Sequence, residues 1–123
     1  MQNRSTKFLT VFKNLRQILQ SHSRGLVVSS DKPGYFCLDV RISPKFRKSF
    51  PIAWVKISKS YVGFHFMPIY FSPVLRESLS PELKARMHGK SCFNFNKVDE
   101  LLFRELDQLT KKGFRMSKKA GVF

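Results

Sequence analysis

The feature that most constrains the fold is a strict alternation of side-chain type in "YFCLDVRI", residues 35–42. One side of this segment carries the apolar residues Phe36, Leu38, Val40 and Ile42, and the other carries Tyr35, Cys37, Asp39 and Arg41. Successive side chains of a strand point to opposite faces, so this pattern predicts a half-buried strand. A related pattern in "YVGFHFMPIY", residues 61–70, predicts a second such strand with Val62, Phe64 and Phe66 on one face.

Both ends of the chain carry helical patterns. Residues 5–22 repeat apolar side chains at spacings of three and four, which predicts an amphipathic helix with Phe8, Phe12, Leu15 and Leu19 as its buried stripe. A closing helix is predicted from Asn96 as N-cap, with Asp99 at its third position, to Gly113 as its left-handed end. Its stripe is Val98, Leu102, Leu106 and Leu109.

Shorter elements fill the middle of the chain. Residues 26–28, 51–58 and 91–95 have strand character, with turns expected at 31–34 and at Lys59-Ser60. "SPVLRE" and "SPELKARM" each begin with a serine N-cap followed by proline, which predicts two short helices, the second ending at Gly89.

This order of elements predicts an α+β domain with two layers. Strands joined by tight turns are antiparallel, and a sheet with one apolar face needs helices to cover it. We therefore expect a four- to five-stranded, mostly antiparallel sheet covered on one face by the N-terminal and C-terminal helices. Residues 1–114 would form this single domain, and residues 115–123 a basic, flexible tail.

The charge of the chain favours negatively charged partners. Lys and Arg number 23 against 8 Asp and Glu, which gives a formal net charge of +15. Such a field attracts nucleic acid or an acidic protein. The candidate polyanion-binding residues are Lys45, Arg47, Lys48, Lys56, Lys59, Lys84, Arg86 and Lys90. A generally cationic surface without a tuned site explains the same composition equally well.

The cysteines and the start of the chain suggest a reducing compartment. Cys37 and Cys92 form no CxxC pair, and the first residues are polar and basic rather than a secretory signal. No apolar run approaches the roughly 18 residues that span a bilayer. We expect a cytoplasmic protein with free thiols.

The tripeptide Gly89-Lys90-Ser91 resembles the end of a phosphate-binding P-loop. That loop needs a glycine at position 84, which is Lys84 here, and it must open a helix. A helix precedes the motif and an extended stretch follows it, so we expect Gly89 to end that helix and Phe93 and Phe95 to alternate inward.

Catalytic and metal chemistry find little support in residue spacing. His22, His65, His88, Cys37 and Cys92 do not match the paired spacing of zinc sites.

A candidate pocket on the strands would contain Trp54, Tyr61, His65 and Cys92, with Lys90 nearby. Its aromatic rings on a basic sheet could stack nucleobases. We expect no cofactor and favour a non-enzymatic binding module, although a triad assembled in space would leave no trace in spacing.

Two segments resemble a known family. "YVGFHFMPIY", with Gly63, Phe64 and Pro68, and "GKSCFNF", with Gly89, Lys90 and Phe95 before the last helix, are similar to the YdhG-like family. This is a widespread bacterial family of small α/β domains, most of unknown function. The likeness runs from about residue 8 to 114. It implies the fold and structural roles for Gly63, Pro68 and Gly89.

The same resemblance implies an alternative function. Some members of the family are described as frataxin-like iron chaperones, which implies iron held by surface carboxylates. Here the carboxylates to test are Asp99, Glu100 and Glu105. The alternative is disfavoured because the chain has only 8 acidic residues and a formal net charge of +15, which repels a cation.

Overall fold

The fold was analysed in a computed structural model, which describes residues 4–43 and 48–123. The side chains of residues 4, 5, 42, 43 and 48 lie outside that description. The helices are α1 (Arg4–Ser21), α2 (Met67–Phe71), α3 (Pro73–Glu77), α4 (Pro81–Lys84) and α5 (Glu100–Lys119). The strands are β1 (Val27–Lys32), β2 (Tyr35–Ser43), β3 (Lys48–Ile57), β4 (Val62–Phe66), β5 (Met87–His88) and β6 (Cys92–Phe95).

The six strands form one antiparallel sheet in the order β1-β2-β3-β4-β6-β5. Tight connections make the antiparallel pairing obligatory for the β1–β2 and β3–β4 hairpins. Gly34 has a φ of +85° in the turn between β1 and β2, a conformation that a residue without a Cβ adopts readily. The α+β class and the antiparallel sheet predicted from the sequence are confirmed, and β5 is a further short strand.

The core lies between one face of this sheet and the helices. Alternate strand residues point into it, with the largest fully buried rings at Phe36, Phe64, Phe66, Phe93 and Phe95. The predicted stripe of α1, at Phe8, Phe12, Leu15 and Leu19, is buried against them. From α5, Phe103 packs edge-on against Phe95, and Phe114 lies 5.2 Å from Phe66 between ring centroids. Both long helices therefore cover the same face.

Two local predictions were wrong where proline and glycine occur. The strand predicted over residues 61–70 ends at Phe66, and Met67–Phe71 forms α2. Pro68 lies in its first turn, a position that proline favours because its missing N–H has no helical partner there. Gly89 does not end a helix, because α4 ends at Lys84 and Gly89, with a φ of +78°, lies in the turn from β5 to β6.

The closing helix also differs from its prediction at both ends. Asp99, and not Asn96, is the N-cap of α5, and its carboxylate accepts a hydrogen bond from the Leu102 N–H. The helix does not end at Gly113 but continues to Lys119, and Met116 and Phe123 pack against the core. The segment predicted as a basic tail is thus helical over residues 115–119. Within the described ranges no helix is long and apolar enough to cross a membrane.

Close packing explains the glycine inside α5. A Cβ at Gly113 would lie 2.6 Å from two ring carbons of Phe66 and 3.2 Å from Pro68 Cβ. The glycine therefore lets the helix approach β4 and α2 closely, and its low helical propensity is offset by that packing.

We predict that Gly113→Ala lowers the free energy of unfolding by about 1 to 3 kcal/mol, the usual cost of overpacking a core. Helix propensity alone predicts the opposite sign, a gain of about 1 kcal/mol. Urea unfolding measures the difference, with Gln108→Ala on the exposed side of the same helix as control. A more stable Gly113→Ala protein would contradict the packing argument.

Candidate functional site

The second face of the sheet carries the strand residues that point away from the helices. We call it the open face and define it by Tyr35, Cys37, Asp39, Trp54, Lys56, Gly63, His65, Cys92 and Asn94. None of these residues belongs to the hydrophobic core cluster. A Cβ placed at Gly63 would have only His65 and Cys92 side-chain atoms as its nearest neighbours. The missing side chain of Gly63 therefore leaves space for the His65 and Cys92 side chains at the centre of this face.

Strand register places four residues of the open face and His88 of β5 in one row. Cys37 pairs with Trp54, Trp54 with His65, His65 with Cys92, and Cys92 with His88. Directly paired residues of an antiparallel sheet point to the same side. With strands about 4.8 Å apart, the row extends across about 19 Å. A second row beside it contains Tyr35, Lys56, Gly63 and Asn94.

An aromatic stack occupies the centre of the first row. The Trp54 and His65 rings lie 4.6 Å apart between centroids, with an interplanar angle of 11°. Both side chains are partly exposed, and the paired residues on either side of the stack, Cys37 and Cys92, are small. The stack is thus a partly exposed aromatic surface, held by pairing between two central strands.

The imidazole of His65 is held in its neutral form. Burial, and secondarily the positive charge of Lys56, lower the pKa of His65 below its ordinary value of 6.5. Its Nε2 lies 3.4 Å from the Cys92 Sγ, and the same thiol donates to the Asn94 Oδ1 at 3.2 Å. At neutral pH the stack therefore carries no charge of its own.

The Cys92–His65 contact does not produce an activated nucleophile. Burial raises the pKa of the Cys92 thiol to about 11, from an ordinary value of 9.0. A nucleophilic cysteine needs a lowered pKa, because the thiolate is the reactive form. The arrangement is that of a neutral hydrogen-bonded pair.

Asp39 forms a polar cluster on the same face that sequence reasoning missed. Its carboxylate accepts from Ser29 Oγ at 2.8 Å, Ser49 Oγ at 3.1 Å and Cys37 Sγ at 3.4 Å. These donors come from three different strands, so the cluster ties β1, β2 and β3 together. The available sequence signal was an acid in an otherwise apolar and basic strand. Burial raises the pKa of Cys37 as well.

The two cysteines are both free, as expected. Three strand spacings separate Cys37 from Cys92, about 14 Å, whereas a disulfide requires Cα atoms within about 7 Å. They therefore belong to separate parts of the open face.

The structure brings together three of the four predicted pocket residues. Trp54, His65 and Cys92 are neighbours in one row, but Tyr61 precedes β4, four residues from His65. At about 3.3 Å per residue, an extended chain would separate them by about 13 Å. Lys90 is exposed in the turn from β5 to β6, two residues from Cys92.

The predicted basic residues do not form one cluster. Lys56 is on the open face, while Lys59 lies in the turn from β3 to β4 at one end of the sheet. Lys90 lies at the opposite end, and Lys84 and Arg86 lie beside β5 at the sheet edge. Lys45 and Arg47 fall outside the described residues, as does the side chain of Lys48. The described basic residues thus surround the open face rather than meeting at a point.

The carboxylates relevant to metal binding have structural partners. Glu105 accepts from the N–H and Oγ of Ser80, at 2.8 and 2.6 Å, and so ties the start of α4 to α5, while Asp99 caps α5. Among residues 4–43 and 48–123, no group of three His, Cys, Asp or Glu side chains could hold a metal ion. Nothing in this geometry favours the iron-carrier alternative.

No protein-family model, curated protein or solved structure matches the chain. The resemblance to the YdhG-like family stays a prediction.

We predict that Cys92 in the folded protein reacts with iodoacetamide at pH 8 about 100-fold more slowly than an ordinary thiol, because two pKa units reduce the thiolate fraction by that factor. Peptide mass spectrometry separates Cys92 from Cys37. The urea-unfolded protein provides the control, since there both thiols should react at the ordinary rate. Native alkylation of Cys92 at or above that rate would show an activated thiol instead.

Proposed function

We propose that this chain is a non-enzymatic module that binds single-stranded nucleic acid, and that the open face is its contact surface. The observation that carries the proposal is the stacked Trp54–His65 pair at the centre of a sheet face that the helices leave uncovered. Bases of single strands stack on such aromatic side chains, and one four-stranded sheet can stack two or three of them.

Acidic side chains that would repel a phosphate backbone are scarce on the open face, where Asp39 is the one acid among the defining residues. Six of the eight acids are in the last part of the sequence, Glu77, Glu82, Asp99, Glu100, Glu105 and Asp107, which lies mostly on the helices. Of the remaining two, Asp31 is paired with Arg16 at 2.7 Å, and Asp39 is held by its hydroxyl and thiol donors. Lys56 stands beside the stack in the neighbouring row.

The neutral state of the site fits stacking better than covalent chemistry. A neutral imidazole and a protonated thiol leave the aromatic surface uncharged, so recognition of bases would come from π-faces and that of phosphates from the surrounding lysines. Stacking is tolerant of sequence because every base has a π-face. The proposal is therefore a preference for single strands with little dependence on sequence.

A net charge of +15 attracts any polyanion, so bare affinity does not test the proposal. The alternative is an unspecific cationic surface, or one that binds acidic proteins. The two alternatives differ in which mutations weaken binding. If the open face is the binding site, mutations on that face weaken binding most. If binding is unspecific, the loss of affinity depends only on how many positive charges are removed.

We predict that Trp54→Ala weakens binding of a fluorescein-labelled single strand of about ten nucleotides by about 1 to 3 kcal/mol, roughly 5- to 150-fold, the usual contribution of one stacked base. Trp54→Phe, which keeps a ring, should retain most of the affinity. Fluorescence anisotropy at several salt concentrations, roughly 50 to 300 mM, measures this for DNA and RNA. Because Trp54 is the single tryptophan, quenching of its fluorescence reports contact directly.

A matched pair of charge variants provides the control. Lys56→Gln removes one charge from the open face, and Lys13→Gln removes one from an exposed position on α1, in the helical layer. Lys56→Gln should weaken binding and reduce the slope of log affinity against log salt concentration by about 0.7, the value for one phosphate contact on a single strand, whereas Lys13→Gln should do neither. Equal effects of the two variants, or an unchanged affinity of Trp54→Ala, would contradict the proposal.

A further inference from the structure

A second surface, at the C-terminal end of the helical layer, has the properties of a peptide-binding site. A cavity of about 170 Å³ opens there between β3, α2, α3 and the end of α5. Its apolar lining includes Phe50, Ile52, Pro68, Phe71, Leu75 and Met116. We call it the apolar cleft. An apolar cavity of about 150 Å³ accommodates a benzene ring, so this one has space for a single large apolar side chain.

Exposed aromatic and aliphatic side chains lie on α2 and α3, the two short helices that line the cleft. Phe71, which also lines the cavity, is 64% exposed, and Val74 and Tyr70 are 61% and 50% exposed. The Tyr70 and Phe71 rings pack edge-on against each other at 5.4 Å. A contiguous apolar patch beside a cavity is typical of a protein contact, whereas single exposed residues are ordinary.

The turn that presents these side chains is held in place. The Arg76 guanidinium donates to the carbonyl oxygens of Ile69 and Tyr70, both at 2.8 Å. Ser72 Oγ accepts from the Leu75 N–H and caps α3. The exposed rings are therefore presented by a fixed backbone, which reduces the entropy that a partner must remove on binding.

Charge identifies the chemistry of the occupant. The cleft is lined by Gly113, Met116 and Ser117 of α5 and by its C-cap Ala120. The same turns of α5 carry Lys111, Lys112, Arg115, Lys118 and Lys119. No acid follows Asp107 in the sequence. A segment that inserts an apolar side chain here would therefore place its flanking residues in a positive field.

We infer that the apolar cleft binds an acidic amphipathic protein segment through one large apolar anchor residue. This surface lies on the helical side of the sheet and is separate from the open face, so the inference does not depend on the proposed nucleic-acid function. The anchor would contribute most of the affinity, as buried aromatic residues do at interfaces, and the acidic residues would set orientation and association rate.

The test uses a labelled helical peptide of Glu and Ala with one Phe and one Leu spaced four residues apart, and a second peptide with both replaced by Ala. Fluorescence anisotropy should detect the first peptide and show at least about 10-fold weaker binding of the second, since anchors dominate such interfaces. Phe71→Ser should weaken binding of the first peptide by a similar factor. Leu101→Ser is the matched control, because Leu101 is 76% exposed in the first turns of α5, far from the cleft.

Several outcomes would overturn the inference. Equal binding of the two peptides would show that only charge attracts them and that no apolar anchor is bound. An unchanged affinity of the Phe71→Ser protein for the first peptide would show that the peptide binds outside the apolar cleft. Sedimentation that shows a dimer dissociated by Phe71→Ser, or preferential binding of anionic lipid vesicles, would assign the patch to another occupant. Trp54→Ala should leave peptide binding unchanged and Phe71→Ser should leave nucleic-acid binding unchanged, so failure of one proposal is distinguishable from failure of the other.

Discussion

Burial of large apolar side chains on a single face of the sheet is the constraint on which the other features depend. Phe36, Phe64, Phe66, Phe93 and Phe95 all point toward α1 and α5. Each fully buried ring contributes about 1.5 to 3 kcal/mol of transfer free energy. The register of β2, β3, β4 and β6, which carry the buried apolar residues, is therefore fixed by which face is apolar. A slip of one residue would expose the phenylalanines and bury Lys56. The polar composition of the open face is the direct consequence.

That constraint also determines what chemistry the open face can support. Side chains there are brought together by cross-strand pairing. Trp54, Lys56 and His65 keep part of their surface in solvent, while Cys37, Asp39 and Cys92 are buried between their neighbours. Burial is sufficient to keep Cys92 protonated and His65 neutral, but the Trp54 ring stays accessible. Such a surface suits recognition by stacking and charge. It lacks the lowered thiol pKa that covalent catalysis by Cys92 would require.

Structural features that depend on local sequence patterns could be predicted from the sequence, whereas features that depend on contacts between distant residues could not. The alternation predicted the burial of Phe36, Leu38 and Val40 correctly, and the period of α1 predicted its buried stripe, because period and burial are coupled in single elements. The side chain of Ile42 lies outside the described residues. Sequence reasoning also grouped Trp54, His65 and Cys92 in one candidate pocket, but it did not predict the pairing of β4 with β6 that makes them one row, whose partners lie 27 residues apart at His65 and Cys92. Gly113 was read as a helix end because its partner, Phe66, is remote in sequence. The bond between Glu105 and Ser80 was missed for the same reason.

The most direct test of the central claim is a titration of the ¹⁵N-labelled protein with single-stranded nucleic acid, followed by NMR. The account predicts that the Trp54 indole N–H and the backbone amides of His65, Lys56 and Asn94 shift first and most, while α1 and the first turns of α5 change little. Shifts that are largest on those helices, or that spread evenly over the whole surface, would contradict it. In that case the charge of the chain, and not its open face, would account for the binding.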